Sequence, residues 1–302
     1  QPLGYCDIDY PKKTGRPRSC DVRLISLLKP PSSAAYPKSR AGDGARSQRI
    51  IDTMSYVSHL ECSVCQRTCD PNVVQTICPE DKSPLLVRYD LDRAKRELDR
   101  DRFGSPRPNS LWRWHELLPI DDPADRVDLG EGGTPQLPIQ RIGSQLGLKH
   151  IWIKDEGQNP TGSFKARGMA VAVTRAKILG VKEFVVPTAG NAGGAASAYV
   201  ARAGLKIHVY MPKDAPQANI AECRAAGADV RLIDGLINDA GRIAAEDARL
   251  YGRFDLATLK EPYRIEGKKT MGYEVAQDFG WVLPDVIVYP AGGGTGLIGI
   301  WK

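Results

Sequence analysis

With 302 residues, 42% of them hydrophobic and 26% charged, the chain is long enough for one large or two smaller cores, which excludes disorder throughout. No stretch approaches the roughly 18 uninterrupted apolar residues of a membrane-spanning helix, and the N-terminus lacks the basic, apolar and small-residue order of a signal peptide, so a cytoplasmic protein with no membrane partner is expected. Of the net charge of +6, five charges lie in residues 1–53, where ten Lys and Arg meet five Asp and Glu; a nearly neutral remainder favours a small-molecule partner over nucleic acid.

Residues 1–53 contain six prolines, the pairs Pro30-Pro31 and Ser32-Ser33, and neither a helical nor a strand period, a composition that disfavours a packed core. The first methionine is Met54, and the natural start is expected there, with residues 1–53 a disordered or non-native extension. Residues 54–92 read as a small Cys-rich, zinc-ribbon-like module holding Cys62, Cys65, Cys69 and Cys78. Cys62-x-x-Cys65 is a metal knuckle, but the second half of a zinc ribbon is incomplete, because Cys78-Pro79-Glu80 is followed by Asp81. Either Asp81 or Cys69 completes the ligand set, and a zinc ion competes with a ribbon that has lost its metal. Nothing points to an oxidising compartment, so disulfides are not expected. Cys6, Cys20 and Cys223 read as incidental, Cys223 as buried filler on a helix with Ala221 and Ala225.

Residues 93–302 form the third unit, and from His150 short apolar runs alternate with longer amphipathic segments, the rhythm of βαβ units. Strands are predicted over 150–154, 183–187, 206–211, 229–233, 254–256 and 285–289, and helices over 164–179, 192–203 and 235–250. The natural architecture is a doubly wound, mostly parallel sheet, with its chemistry in the loops beyond the carboxyl ends of the strands.

Three such loops are unusual. Asn159-Pro160-Thr161-Gly162-Ser163-Phe164-Lys165 puts a lysine at the opening of a helix, whose N-terminal dipole eases loss of the ammonium proton. Taken alone, such a lysine is a solvated surface charge. Thr188-Ala189-Gly190-Asn191-Ala192 offers backbone N–H groups to a carboxylate and the Asn191 amide to a phenolate oxygen; its bland reading is a capped, close-packed helix. Gly292-Gly293-Gly294-Thr295-Gly296 exposes successive backbone donors, an anion nest suited to phosphate. No G-x-G-x-x-G with a downstream acid follows the first strand, so a dinucleotide is disfavoured. Lysine, asparagine and nest are read as following three strands of one sheet.

On these residues, together with Arg264-Ile265-Glu266-Gly267-Lys268-Lys269-Thr270 and the Cys-rich segment, the chain from about Cys62 to Lys302 resembles the threonine synthases, pyridoxal-phosphate enzymes of fold type II. The resemblance implies two subdomains of mostly parallel sheet, a homodimer, and pyridoxal phosphate carried by Lys165 as a Schiff base. Asn191 would meet the cofactor O3′, Phe164 would border the ring, and Gly292, Gly293, Gly294, Thr295 and Gly296 would cradle the phosphate. Thr188, Ala189, Gly190 and Ala192 would hold the carboxylate of an amino-acid substrate, and Arg264 its phosphate; a surface arginine at a helix start is the competing reading of Arg264. Many relatives have Ser-Thr-Gly-Asn-Thr where this chain has Thr188-Ala189-Gly190-Asn191-Ala192, with a hydroxyl lost on each side of Gly-Asn. The family's hydroxyl partner for the pyridine nitrogen falls beyond residue 302, so a C-terminal part is expected to be missing. The reaction implied is conversion of O-phospho-L-homoserine and water to L-threonine and phosphate. A serine or threonine ammonia-lyase, a cysteate synthase-like β-replacement, and a non-catalytic binding or regulatory protein are the alternatives.

Overall fold

The computed structural model describes residues 55–104 and 106–302, and the backbone of residues 25–27. The expectations for the rest of residues 1–53, for a start at Met54, and for Cys6 and Cys20 lie outside the described residues. Ile25–Leu27 forms strand β1, an exception to the reading of that segment as lacking strands; three residues are too few to carry a period.

Strand β2 (Val57–Cys62) pairs antiparallel with β3 (Thr68–Cys69) on one side and β4 (Leu85–Tyr89) on the other. Its period-two pattern buries Leu60 and Cys62, and β4 buries Leu85 and Val87, as expected for a sheet with one solvated face. Helix α1 (Leu91–Glu97) follows, opened by Asp90, whose carboxylate accepts the Arg93 N–H, a standard N-cap. The chain then passes through short 3-10 turns that bury Trp112 and Trp114 into β5 (Gln136–Pro138), α2 (Gln140–Gln145) and β6 (Ile151–Lys154).

From there the alternation read in the sequence is realised: α3 (Lys165–Ile178), β7 (Glu183–Pro187), α4 (Asn191–Arg202), β8 (Lys206–Pro212), α5 (Gln217–Ala225), β9 (Asp229–Ile233), α6 (Ile237–Tyr251) and β10 (Phe254–Asp255). The four strands form one parallel sheet in the order β10-β7-β8-β9. Helices α7 (Arg264–Asp278) and α8 (Thr295–Trp301) flank the short strand β11 (Ile287–Val288). Cys223 is fully buried on α5, as expected.

The reading of three functional loops after strands of one sheet is corrected. β6 and β11 belong to a second four-stranded sheet, ordered β11-β1-β6-β5, whose neighbours are all antiparallel. Only β7 lies in the parallel sheet. An apolar run specifies a strand but not its partner, because pairing is made by backbone groups common to all residues.

Helix α3 explains how the parts join. Every residue from Ala166 to Ala176 is buried, so the helix is enclosed on all sides and forms the core rather than covering it. It crosses α7 closely: a Cβ on Gly267 would lie 1.9 Å from the Arg167 carbonyl oxygen, so only glycine permits this approach. The ribbon's Leu60, Leu85 and Val87 join the same apolar cluster as α3. Polar ties reinforce the contact: Arg175 donates to the Pro71 carbonyl at 2.8 Å, and Tyr89 donates to Glu266 at 2.6 Å. Among the described residues, no helix is long and apolar enough to cross a membrane.

Candidate active site

The parallel sheet reverses its winding at β7: the chain moves outward through β8 and β9, then returns to place β10 on the other side of β7. Ligands in open parallel sheets bind in the crevice beyond the strand ends at such a reversal. The loop after β7 delivers Asn191 to the start of α4, and the loop after β10 leads through Thr258 to Arg264 at the start of α7.

Lys165, the first residue of α3, lines two cavities. One, of ≈ 200 Å³, is walled by Asp155, Phe164, Asn191, Met271 and Tyr289. The other, a cleft of ≈ 510 Å³, is walled by Thr258, Arg264, Tyr289 and the whole glycine loop 292–296, and its size suits a small cofactor or substrate. The Lys165 amine sits 3.7 Å from the centroid of the Phe164 ring. Burial pushes its pKa down and the positive charge of Arg264 pushes it further, to about 8. The neutral fraction near pH 7 is thereby raised by roughly two orders of magnitude over an ordinary lysine. The sequence attributes this to the helix terminus; the structure attributes it to burial and to Arg264.

Arg264 is 3% exposed, which overturns the surface reading. It donates through Nη1 to the Leu256 carbonyl at 2.6 Å, while its Nε is buried without a partner. Gly294 caps α8 with φ of +73°, a left-handed conformation that favours glycine. Lys268, absent from the sequence-based candidates, is also fully buried beside the cleft and donates to the Thr295 hydroxyl oxygen. Burial, then the charges of Arg264 and Lys165, push the Lys268 amine well below the ordinary lysine value; against these three basic groups stands Glu261, 3% exposed, whose carboxyl burial pushes up to about 7. The excess of basic over acidic groups, the orphaned Arg264 Nε and the glycine loop together fit a phosphorylated anionic group such as pyridoxal phosphate.

Phe164, Lys165, Asn191, Arg264 and Gly292 to Gly296 are thus brought together. Thr188, Ala189, Gly190 and Ala192 share a loop with Asn191 but line neither cavity. The Thr188 hydroxyl is engaged with Gly190, accepting its N–H at 3.1 Å and donating to its carbonyl at 3.0 Å. Besides Lys268, sequence reasoning missed Thr258 and Tyr289. Lys268 carried a signal, standing four residues after Arg264 and hence on the same face of the helix.

Two residues beyond Lys165, Arg167 anchors a charge network that fixes the start of α3. Its guanidinium, fully buried, binds Glu156 at 2.7 Å through Nε and through Nη2, and binds Glu274 through Nη1 at 2.6 Å and Nη2 at 2.7 Å. Lys154 adds a second ion pair to Glu274 at 2.8 Å. Two buried cations face two buried carboxylates, so this network is charge-balanced where the cleft is not.

In the ribbon, Cys62, Cys65, Cys78 and Asp81 place one donor atom each within 4.8 Å of one another. Two matching turns bring them there. The N–H groups of Val64 and Cys65 point to Cys62 Sγ at 3.4 Å, and Gln66, the residue after Cys65, has φ of +61°; Lys82, the residue after Asp81, has the same φ. Asp81 therefore occupies the place of the fourth cysteine, while Cys69 pairs with Leu60 in the sheet. Cys65 Sγ and Cys78 Sγ lie 3.6 Å apart, close to the roughly 3.8 Å that zinc–sulfur bonds of about 2.3 Å impose on a tetrahedron. The donor set fits zinc. Stoichiometric zinc is expected by elemental analysis, and chelation or Cys62→Ser is expected to lower the melting temperature by about 2–4 °C for each kcal/mol lost. A melting curve unmoved by chelation would leave the cluster without a metal.

A family model described as pyridoxal-phosphate dependent enzyme matches residues 127–302. The chain is 34% identical to a threonine synthase of Methanocaldococcus jannaschii over 80% of its length and 59% of the relative's. It is 36% identical to a threonine synthase of a Bacillus species over 64% of its length and 54% of the relative's. The chain thus spans little more than half the length of these relatives. Among solved structures, an O-ureido-L-serine-bound mutant of O-ureido-L-serine synthase is similar with a TM-score of 0.51 at 25% identity, over 55% of this chain and 54% of that one. Holo diaminopropionate ammonia lyase from Escherichia coli shares the fold with a TM-score of 0.50 at 21% identity, over 57% and 52% of the two chains.

Proposed function

Because the chain belongs to the pyridoxal-phosphate dependent enzyme family, we propose that it serves the threonine synthase reaction, converting O-phospho-L-homoserine and water to L-threonine and phosphate, with the cofactor attached to Lys165. The observation that carries this reading is the convergence of Lys165, Arg264 and the glycine loop on one cleft, with Asn191 reached from the same lysine through the adjoining cavity. Bound pyridoxal phosphate would supply an electron sink for a carbanion at the substrate Cα.

The remaining work falls to the chain's own residues. The Lys165 amine takes the proton from Cα and returns one to carbon later, a role suited to a pKa of about 8. The Asn191 amide would donate to the cofactor's phenolate oxygen, and the backbone N–H groups of residues 292–296 would hold its phosphate. Arg264 binds the substrate phosphate and stabilises its charge as it departs. Phe164 and Tyr289, whose rings meet edge to face at 5.5 Å, wall the cleft and confine the substrate beside Lys165.

The loop at 188–192 favours a second reading. With the Thr188 hydroxyl committed to Gly190 and alanines at 189 and 192, it offers a substrate few side-chain donors, as would suffice for an ammonia-lyase acting on serine or threonine. Purified protein supplied with O-phosphohomoserine is expected to release inorganic phosphate and threonine in equal amounts; keto acid formed from serine or threonine, without phosphate release, would establish the second reading.

The pH dependence of cofactor uptake is a further expectation. Attack on the cofactor aldehyde requires neutral Lys165, so the rate at which apoprotein acquires the visible absorbance band should climb through pH 8 and level off above it. An ordinary lysine would continue to gain up to about 10.5. Removing the neighbouring charge in Arg264→Gln should move the midpoint upward, because that charge is one of the two causes of the depression.

A further inference from the structure

Lys268 stands one turn beyond Arg264 on α7, and its side chain is fully buried. It runs past Gly168 of α3, where a Cβ would lie 3.0 Å from Lys268 Cε and 2.9 Å from the Arg264 carbonyl oxygen, toward Thr295 in the wall of the cleft. Its ammonium ends at the Thr295 hydroxyl oxygen, 5.3 Å from the centroid of the Phe164 ring. The adjacent Lys269 shows the usual arrangement for a buried lysine: its Nζ is 2.5 Å from the Glu266 carboxylate and lies over the Tyr89 ring. Lys268 has no such partner; among the described residues no carboxylate comes within ion-pair distance of it. Arg264 and Lys165 repel it, and only Glu261 opposes them. An uncompensated ammonium in such a place is strongly unfavourable unless the site receives an anion.

Resting on the reading of this cleft as a pyridoxal-phosphate site, we propose that Lys268 is a phosphate-binding residue that pairs with the cofactor's phosphate monoester beside the glycine loop. The lysine provides the full positive charge that backbone donors lack. Thr295, whose oxygen accepts from Lys268, keeps its own O–H free to donate into the cleft. Arg264 remains available to a second phosphate on the substrate. The cofactor's phosphate is the better match for Lys268, because the lysine's contact is to a residue of the glycine loop itself.

The test compares pyridoxal phosphate with pyridoxal, which lacks the phosphate, in titrations of apoprotein followed by visible absorbance. In Lys268→Met, affinity for pyridoxal phosphate is expected to fall at least about tenfold, the scale of one charge-assisted hydrogen bond, while affinity for pyridoxal changes little. Lys268→Arg should retain most of the preference for the phosphorylated form. Inorganic phosphate should raise the melting temperature of wild-type apoprotein and not that of Lys268→Met. Equal losses for both compounds, or no loss for pyridoxal phosphate, would overturn the proposal. So would an unchanged cofactor affinity with a raised KM for O-phosphohomoserine alone, which would give the lysine to the substrate phosphate. Lys268→Gln serves if the methionine variant does not fold. A wild-type protein that shows no visible band with either compound would refute the cofactor reading, whereas the phosphate-dependent melting shift would still report on Lys268.

Discussion

Lys165→Ala is expected to lose the visible band of the bound cofactor and to reduce turnover by about 10⁴-fold or more, since one residue serves as both attachment point and proton carrier. The variant should fold. The amine it removes is buried and repelled by Arg264, so its loss relieves an unfavourable charge and the melting temperature should hold or rise. Absorbance spectra and melting curves of the same preparation separate the two effects. A band that persists unchanged in Lys165→Ala would place the cofactor on another residue and remove the basis of the proposed reaction.

Arg167→Met is expected to have the largest effect on stability, about 3–5 kcal/mol, because it leaves Glu156 and Glu274 buried with Lys154 as their only cation. The pH dependence identifies the cause. Burial pushes the Glu274 carboxyl up, but Arg167 and then Lys154 outweigh burial and hold it at about 2, below its ordinary 4.5. A depressed carboxylate adds stability above the unfolded value and loses it as pH falls through the folded one. Wild-type stability should therefore decline between about pH 4.5 and 2, and the decline should flatten in the variant, whose Glu274 has lost its main partner. Urea midpoints measured from pH 7 to 3 check this; a parallel shift at every pH would mean that lost packing, not charge, sets the cost.

The contrast between these two residues shows what could be read in advance. Lys165 stands in a loop whose Pro160, Gly162 and following helix are local features, and α3 was predicted over 164–179 against an observed Lys165–Ile178. Strands β7 and β9 match their predicted bounds, because runs such as Phe184-Val185-Val186 are bounded by polar residues and turns. β11 fared worse: five residues were predicted at 285–289 and two form the strand, its pairing being set by β1, far away in sequence. Arg167 gave only the weak sign of a charge within an apolar helix. Its meaning depends on Glu274, 107 residues later, and no local pattern encodes that distance.

The sequence by itself determined strands β6 to β10 and helices α3, α4 and α6, the lysine at a helix start, the asparagine and glycine loops, and the Cys62-x-x-Cys65 knuckle, because backbone sterics, apolar period and turn chemistry act over a few residues. Only the tertiary structure decided that the functional loops come from two sheets, that Asp81 rather than Cys69 completes the Cys-rich cluster, and that Arg264 lies buried in the wall of one cleft with Lys268 buried behind it against Thr295. Those outcomes depend on desolvation and on the charge balance among residues brought together from distant parts of the chain, quantities that exist only once the core has closed around them.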